Sequence, residues 1–160
     1  SRMQFLSSWT TSDLSPLLHF SDLVLEIFER HMQRVDSDFE AGGLLLGTIH
    51  GSNIFVTEAT TPTAWDKRFR FFFERMSFGH RSIALLRWRG SRGVIRYVGE
   101  WHTHPEDHPK PSGIDRDEWN KLAKQRKDNR PALAVIVGRK TLYVELVPTM
   151  GEGLIMHSFE

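Results

Sequence analysis

His102 and His104 stand two residues apart, and Asp115 follows the second by eleven. Two imidazoles and a carboxylate are the protein ligands of an open zinc site, which leaves the fourth position to water. Zinc held in this way polarises a carbonyl and acidifies a water, so the chemistry is hydrolytic. Hydrolysis also needs a proton acceptor. Glu40 precedes Ala41-Gly42-Gly43 and the apolar run Leu44-Leu45-Leu46, and from the mouth of such a strand a carboxylate can reach a metal site. Glu100 is its rival, because it shares the parity of His102 and His104 along an extended chain. Position in the sequence does not choose between the two.

These side chains need elements to hold them. The β-branched and aromatic run Val94–Trp101 reads as a strand leading into the histidines. If the strand continues through them, His102 and His104 face one way and Thr103 the other. Asp115 must then be returned by a loop that Pro105, Pro109 and Pro111 stiffen. Ser112-Gly113-Ile114-Asp115 is a capping box in its own right, and such a box puts Asp115 on the first turn of a helix reaching about Lys127.

Elsewhere, Ser21 caps a helix predicted over Asp22–Arg34, with Leu25, Phe28 and Met32 at helical spacing and Asp36-Ser37-Asp38 as its breaker. Gly43–Ile49 and Asn53–Ala59 read as strands of a hairpin turning at His50-Gly51-Ser52. Arg68–Glu74 reads as a further strand, and Ser77 opens a helix to about Trp88. Ala132–Val137 and Leu142–Val147 are strands around Gly138-Arg139-Lys140, and Leu154–His157 is a short one. Helices mixed with antiparallel hairpins predict an α/β sandwich rather than a doubly wound parallel sheet.

Composition narrows the chemistry. At 160 residues the chain is expected to form one domain, residues 3–160, with Ser1-Arg2 before Met3 read as an expression remnant. No run is long enough to span a membrane and no leader is visible, so the expected location is cytoplasmic. Cysteine is absent, which excludes a cysteine protease and any thiolate-ligated zinc, including that of nucleobase deaminases. The net charge of +1 hides an asymmetry: Lys67–Arg96 carries nine basic residues against the single acid Glu74. Such a face suits an acidic protein partner or nucleic acid, although Phe69-Arg70-Phe71 equally describes a half-buried strand. His108 between Asp107 and Pro109 reads as a solvated loop residue, and Trp88 and Trp119 as core or rim packing.

Glu40, His102-Thr103-His104-Pro105 and Ser112-Gly113-Ile114-Asp115 together fill every position of the JAMM motif. The chain resembles the JAB/MPN zinc isopeptidases that carry this motif, over roughly Leu23 to Val147. Its length and the segments Phe39-Glu40-Ala41-Gly42-Gly43, Gly99-Glu100-Trp101-His102 and Leu133–Arg139 are similar to the JAB isopeptidases of bacterial CBASS antiphage operons. The resemblance implies a JAB/MPN-like, cytidine-deaminase-like α/β fold: a mixed, largely antiparallel sheet flanked by helices. It implies Zn²⁺ on His102, His104 and Asp115, with Glu40 moving the proton and Ser112 hydrogen-bonding the developing oxyanion. The substrate it implies is a protein conjugate with an extended C-terminal donor tail, a cGAS-like nucleotidyltransferase released from its targets in antiphage defence. Neither a membrane nor nucleic acid is expected as partner. The alternatives are a deubiquitinase-like hydrolase of ubiquitin-like conjugates and a non-catalytic MPN scaffold. Scaffolds of that kind typically lose ligands or the Glu, and this chain keeps all of them.

Overall fold

Apolar residues fill every position of Ala132–Val137, and all six side chains are buried. A strand with both faces buried needs a layer on each side. In the computed structural model, which describes residues 4–61, 86–126 and 128–159, this strand lies inside a nine-stranded mixed sheet. One of its faces (Leu133, Val135, Val137) joins a core with Phe20, Phe28 and Trp101. The other (Ala132, Ala134, Ile136) lies beneath Trp119, Leu122 and Ala123.

The elements run β1 (Ser8–Thr10), β2 (Leu17–Phe20), α1 (Asp22–His31), β3 (Gly42–His50), β4 (Asn53–Ala59), β5 (Arg96–Thr103), α2 (Gly113–Gln125), β6 (Ala132–Val137), β7 (Leu142–Val147), β8 (Leu154–Ile155) and β9 (His157–Ser158). The spatial order is β8-β7-β6-β5-β3-β4-β2-β1-β9. The pairs β2–β4 and β5–β6 are parallel. The remaining pairs are antiparallel, in line with the mixed, largely antiparallel sheet that the family resemblance implied. Parallel β5 and β6 require a crossover, and α2 supplies it. No helix among the described residues is long and apolar enough to cross a membrane.

Several boundaries differ from those predicted. Helix α1 stops at His31 instead of Arg34. The Asp38 carboxylate takes the backbone N–H groups of Arg34 and Val35, at 2.8 and 3.1 Å, and so draws the chain out of the helix. The strand expected over Leu154–His157 is two strands, because buried Met156 interrupts it. β8 pairs with β7 and β9 with β1, so a single residue joins the two ends of the sheet order. Strands β1 and β2 were not anticipated; their three and four residues include Ser, Thr and His and give little periodicity. The predicted strand Arg68–Glu74 and most of the helix from Ser77 lie outside the described residues, while residues 86–90 are helical.

Gly99 marks the tightest approach between β5 and β6. A Cβ there would run into the backbone carbonyl of Leu133. Gly99→Ala is therefore expected to destabilise the protein by about 3 kcal/mol, the upper part of the range for overpacking. Thermal denaturation should show a melting temperature lower by roughly 6–12 °C.

Candidate metal centre

Strand β5 ends at Thr103, one residue short of His104, but His104 N–H still donates to Val137 O at 3.0 Å, and this bond carries the alternation on to the second histidine. Trp101 joins the core on the α1 side, and the Thr103 hydroxyl bonds Gln33 just past the end of α1. His102 faces the other way, its ring 6.3 Å from that of Trp119 on α2. Beyond the strand, the loop is fastened to the β6–β7 turn. Arg139 N–H donates to Glu106 O at 2.7 Å, and Lys140 and Thr141 N–H donate to Asp107 O. Pro109 is buried and lies against Gly138. This fastening, together with the prolines, returns the chain to start α2 beside the histidines.

The capping box is formed in both directions. Ser112 Oγ accepts from Asp115 N–H at 3.1 Å, and Ser112 N–H donates to Asp115 Oδ2 at 2.9 Å. The box orients a carboxylate that is 1% exposed toward the two histidines. His102 Nε2 lies 3.2 Å from Asp115 Oδ1, His104 Nε2 lies 3.1 Å from Asp115 Oδ2, and the two Nε2 atoms are 3.2 Å apart. Ligands at zinc bonding distance in a tetrahedron are about 3.3 Å from one another. The two histidines meet different oxygens of the one carboxylate, and the neighbouring donors have the spacing and the nitrogen–oxygen composition that zinc takes.

His104 Nδ1 is 2.8 Å from Glu106 Oε1. A carboxylate there fixes the proton on Nδ1 and turns the Nε2 lone pair toward the cluster. Nothing in the sequence reading singled out Glu106; its signal is a carboxylate two residues after a candidate ligand. Burial disfavours charge on His104, but its hydrogen bonds to the Asp115 and Glu106 carboxylates outweigh it and raise its pKa. Burial likewise opposes ionisation of Asp115. The hydrogen bonds to His102 and His104 dominate and hold it well below the usual carboxylate range.

Glu40 is brought to the same place by strand pairing. Ala41 and Thr103 exchange hydrogen bonds, Thr103 N–H to Ala41 O and Ala41 N–H to Thr103 Oγ1, both 2.9 Å. The register continues with Gly42 opposite His102. Glu40 is thereby seated across from the end of β5, with a carboxylate oxygen and the His102 and His104 nitrogens all within 4.8 Å of one another. Glu100 lies deeper in the sheet and is 4% exposed. Burial, with added repulsion from Glu118 and Asp115, raises its pKa to about 8.

The structure keeps the other candidates apart from this cluster. His108 Nδ1 is near Thr141 Oγ1 at 3.2 Å. Trp119 is buried in the core and Trp88 is half exposed, as read. Of the basic segment, only Arg87, Arg89, Arg92 and Arg96 are among the described residues. Arg87 pairs with Glu58 at 2.9 Å through Nε, and Arg96 lies 3.8 Å from Asp128, so acids already offset two of these charges.

A family profile described as prokaryotic homologs of the JAB domain matches residues 24–147. The chain is 61% identical over 158 residues to a CD-NTase/cGAS isopeptidase of Pseudomonas aeruginosa (strain BWHPSA011 / Pa011), covering 99% of this chain and 100% of that protein. It is 37% identical over 105 residues to the protein of that name from Escherichia coli (strain TW11681), covering 66% of this chain and 65% of the other. The fold is similar to the solution structure of protein DSY2949 from Desulfitobacterium hafniense, with a TM-score of 0.57 and 17% identity over 89% of this chain and 90% of that one.

Proposed function

Since this chain belongs to the family of prokaryotic JAB-domain homologs, we propose that it is a zinc-dependent isopeptidase acting on conjugates of a cGAS-like nucleotidyltransferase in antiphage defence. The observation that carries the reading is the cluster of His102, His104 and Asp115, with Glu40 in reach of both histidines. The substrate class is taken from the relatives named CD-NTase/cGAS isopeptidase.

His102, His104 and Asp115 would hold the metal. When bound, zinc supplies a Lewis acid for the scissile carbonyl and lowers the pKa of a water toward ~7. The rest falls to the protein. Glu40 accepts the water proton at its carboxylate and passes it to the departing amine nitrogen as the carbon–nitrogen bond breaks. Ser112 donates a hydrogen bond to the carbonyl oxygen as negative charge grows there, an interaction stronger at the transition state than in the ground state. Glu106 keeps His104 in the tautomer that ligation needs. The products are a free donor C-terminus and an amine on the target.

The test is a pair of fusions. The nucleotidyltransferase is joined through its own C-terminus to a reporter, and ubiquitin is joined to the same reporter. Release from the first alone is the expected result. Release from ubiquitin alone would reassign the protein to a general deubiquitinase-like role. Cleavage of neither by zinc-loaded protein would remove support for an isopeptidase.

A further inference from the structure

We propose that Thr103 and Gln33 are positioning residues for Glu40, forming a buried hydrogen-bonded strut that sets its height over the histidines. The inference rests on the reading of Glu40 as proton carrier. Thr103 is 0% exposed and Gln33 is 4% exposed. Thr103 Oγ1 accepts from Ala41 N–H at 2.9 Å and donates to Gln33 Oε1 at 2.7 Å. Gln33 Nε2 donates to Asp38 O at 3.1 Å. Because Asp38 O can only accept, Gln33 must present nitrogen there and oxygen to Thr103, whose hydroxyl therefore donates to it. Each polar atom has one direction, so the network locks in a single arrangement.

The strut touches both ends of the short segment that carries Glu40. Asp38 O is held two residues before it and Ala41 N–H one residue after. Arg139 braces the chain just before this segment from the β6–β7 turn, with Nε on Gln33 O at 3.0 Å and Nη2 on Asp36 Oδ1 at 2.7 Å. Thr103 lies between the two histidines on β5 and points to the opposite face. The segment is therefore referenced to the same strand that presents the candidate ligands. A carboxylate that must stay within reach of a reacting proton tolerates little displacement, and a shift of about 1 Å can cost 10²-fold in rate.

Thr103→Val keeps the shape and removes both hydrogen bonds. Gln33→Glu keeps the acceptor for Thr103 but sets an oxygen against Asp38 O. With the fusion substrate, Thr103→Val is expected to lower kcat by about 10²-fold with KM and bound zinc unchanged. Amide exchange at Ala41, followed by NMR on zinc-free protein, should accelerate in both variants. Thr103→Ser, which restores the hydroxyl, should recover most of the lost kcat and slow Ala41 exchange again. Unchanged kcat in folded Thr103→Val and Gln33→Glu, with Glu40→Gln inactive, would overturn the strut while leaving the Glu40 reading intact. Loss of zinc along with kcat would also overturn it, since Thr103 would then act on the histidines. An active Glu40→Gln variant would remove the reading on which the strut depends.

Discussion

Glu40→Gln is expected to keep one zinc per chain and its fold while losing hydrolysis by ~10²–10⁴-fold, the usual cost of removing a general base. The substitution preserves size and hydrogen bonding and removes only the capacity to take up a proton. Sequence left Glu40 and Glu100 as rivals, and cross-strand geometry separates them. Glu40 is seated beside the histidines by the paired bonds between Ala41 and Thr103. Glu100 is enclosed between Leu44 and Ala134 on the flanking strands. Glu100→Gln should therefore cost far less. Elemental analysis beside the fusion-cleavage assay checks both variants. An inactive Glu100→Gln with an active Glu40→Gln would reverse the roles. A metal-free Glu40→Gln would make Glu40 a ligand.

The second large effect belongs to the ligands. His102→Ala with His104→Ala should abolish zinc binding and cleavage together, because a single carboxylate remains of the cluster. Asp115→Ala should also lose metal, but it removes the acceptor of the Ser112 N–H as well, so part of its effect falls on the start of α2. The histidine pair is the cleaner variant for that reason. Zinc added to chelated wild-type protein should raise the melting temperature, since a ligand that binds only the folded state stabilises it by mass action. The double variant should show no such rise. Full zinc in the double variant would sink the assignment.

Much of this centre was legible in the sequence because its geometry is local. Strand parity places His102 and His104 on one face, and a capping box places Asp115 on the first helical turn. What the sequence could not supply lies across the fold. Gln33 and Thr103 are 70 residues apart and meet only because α1 ends over the back of β5. Glu106 looked like one acid among several until the loop was fastened to the β6–β7 turn. The ends of helices were misjudged where a side chain competed for backbone amides, as Asp38 does at the end of α1. The split of the last strand at Met156 depends on partners at both ends of the sheet, which periodicity cannot report.

That junction bears on when the protein becomes able to work. Trp9 pairs with Ser158, so the seam between β1 and β9 spans almost the whole chain. Its closure must repay the entropy of a very long loop with only two residue pairs, which is expected to make it a late event in folding. The candidate metal centre is built around β5, four strands from β1 and five from β9 in the sheet order. Its own supports, from β3, β6 and α2, are complete without the seam. Transient opening of so short a seam is expected to leave the chemistry untouched, because the strands and helix that hold the centre lie elsewhere in the sheet order.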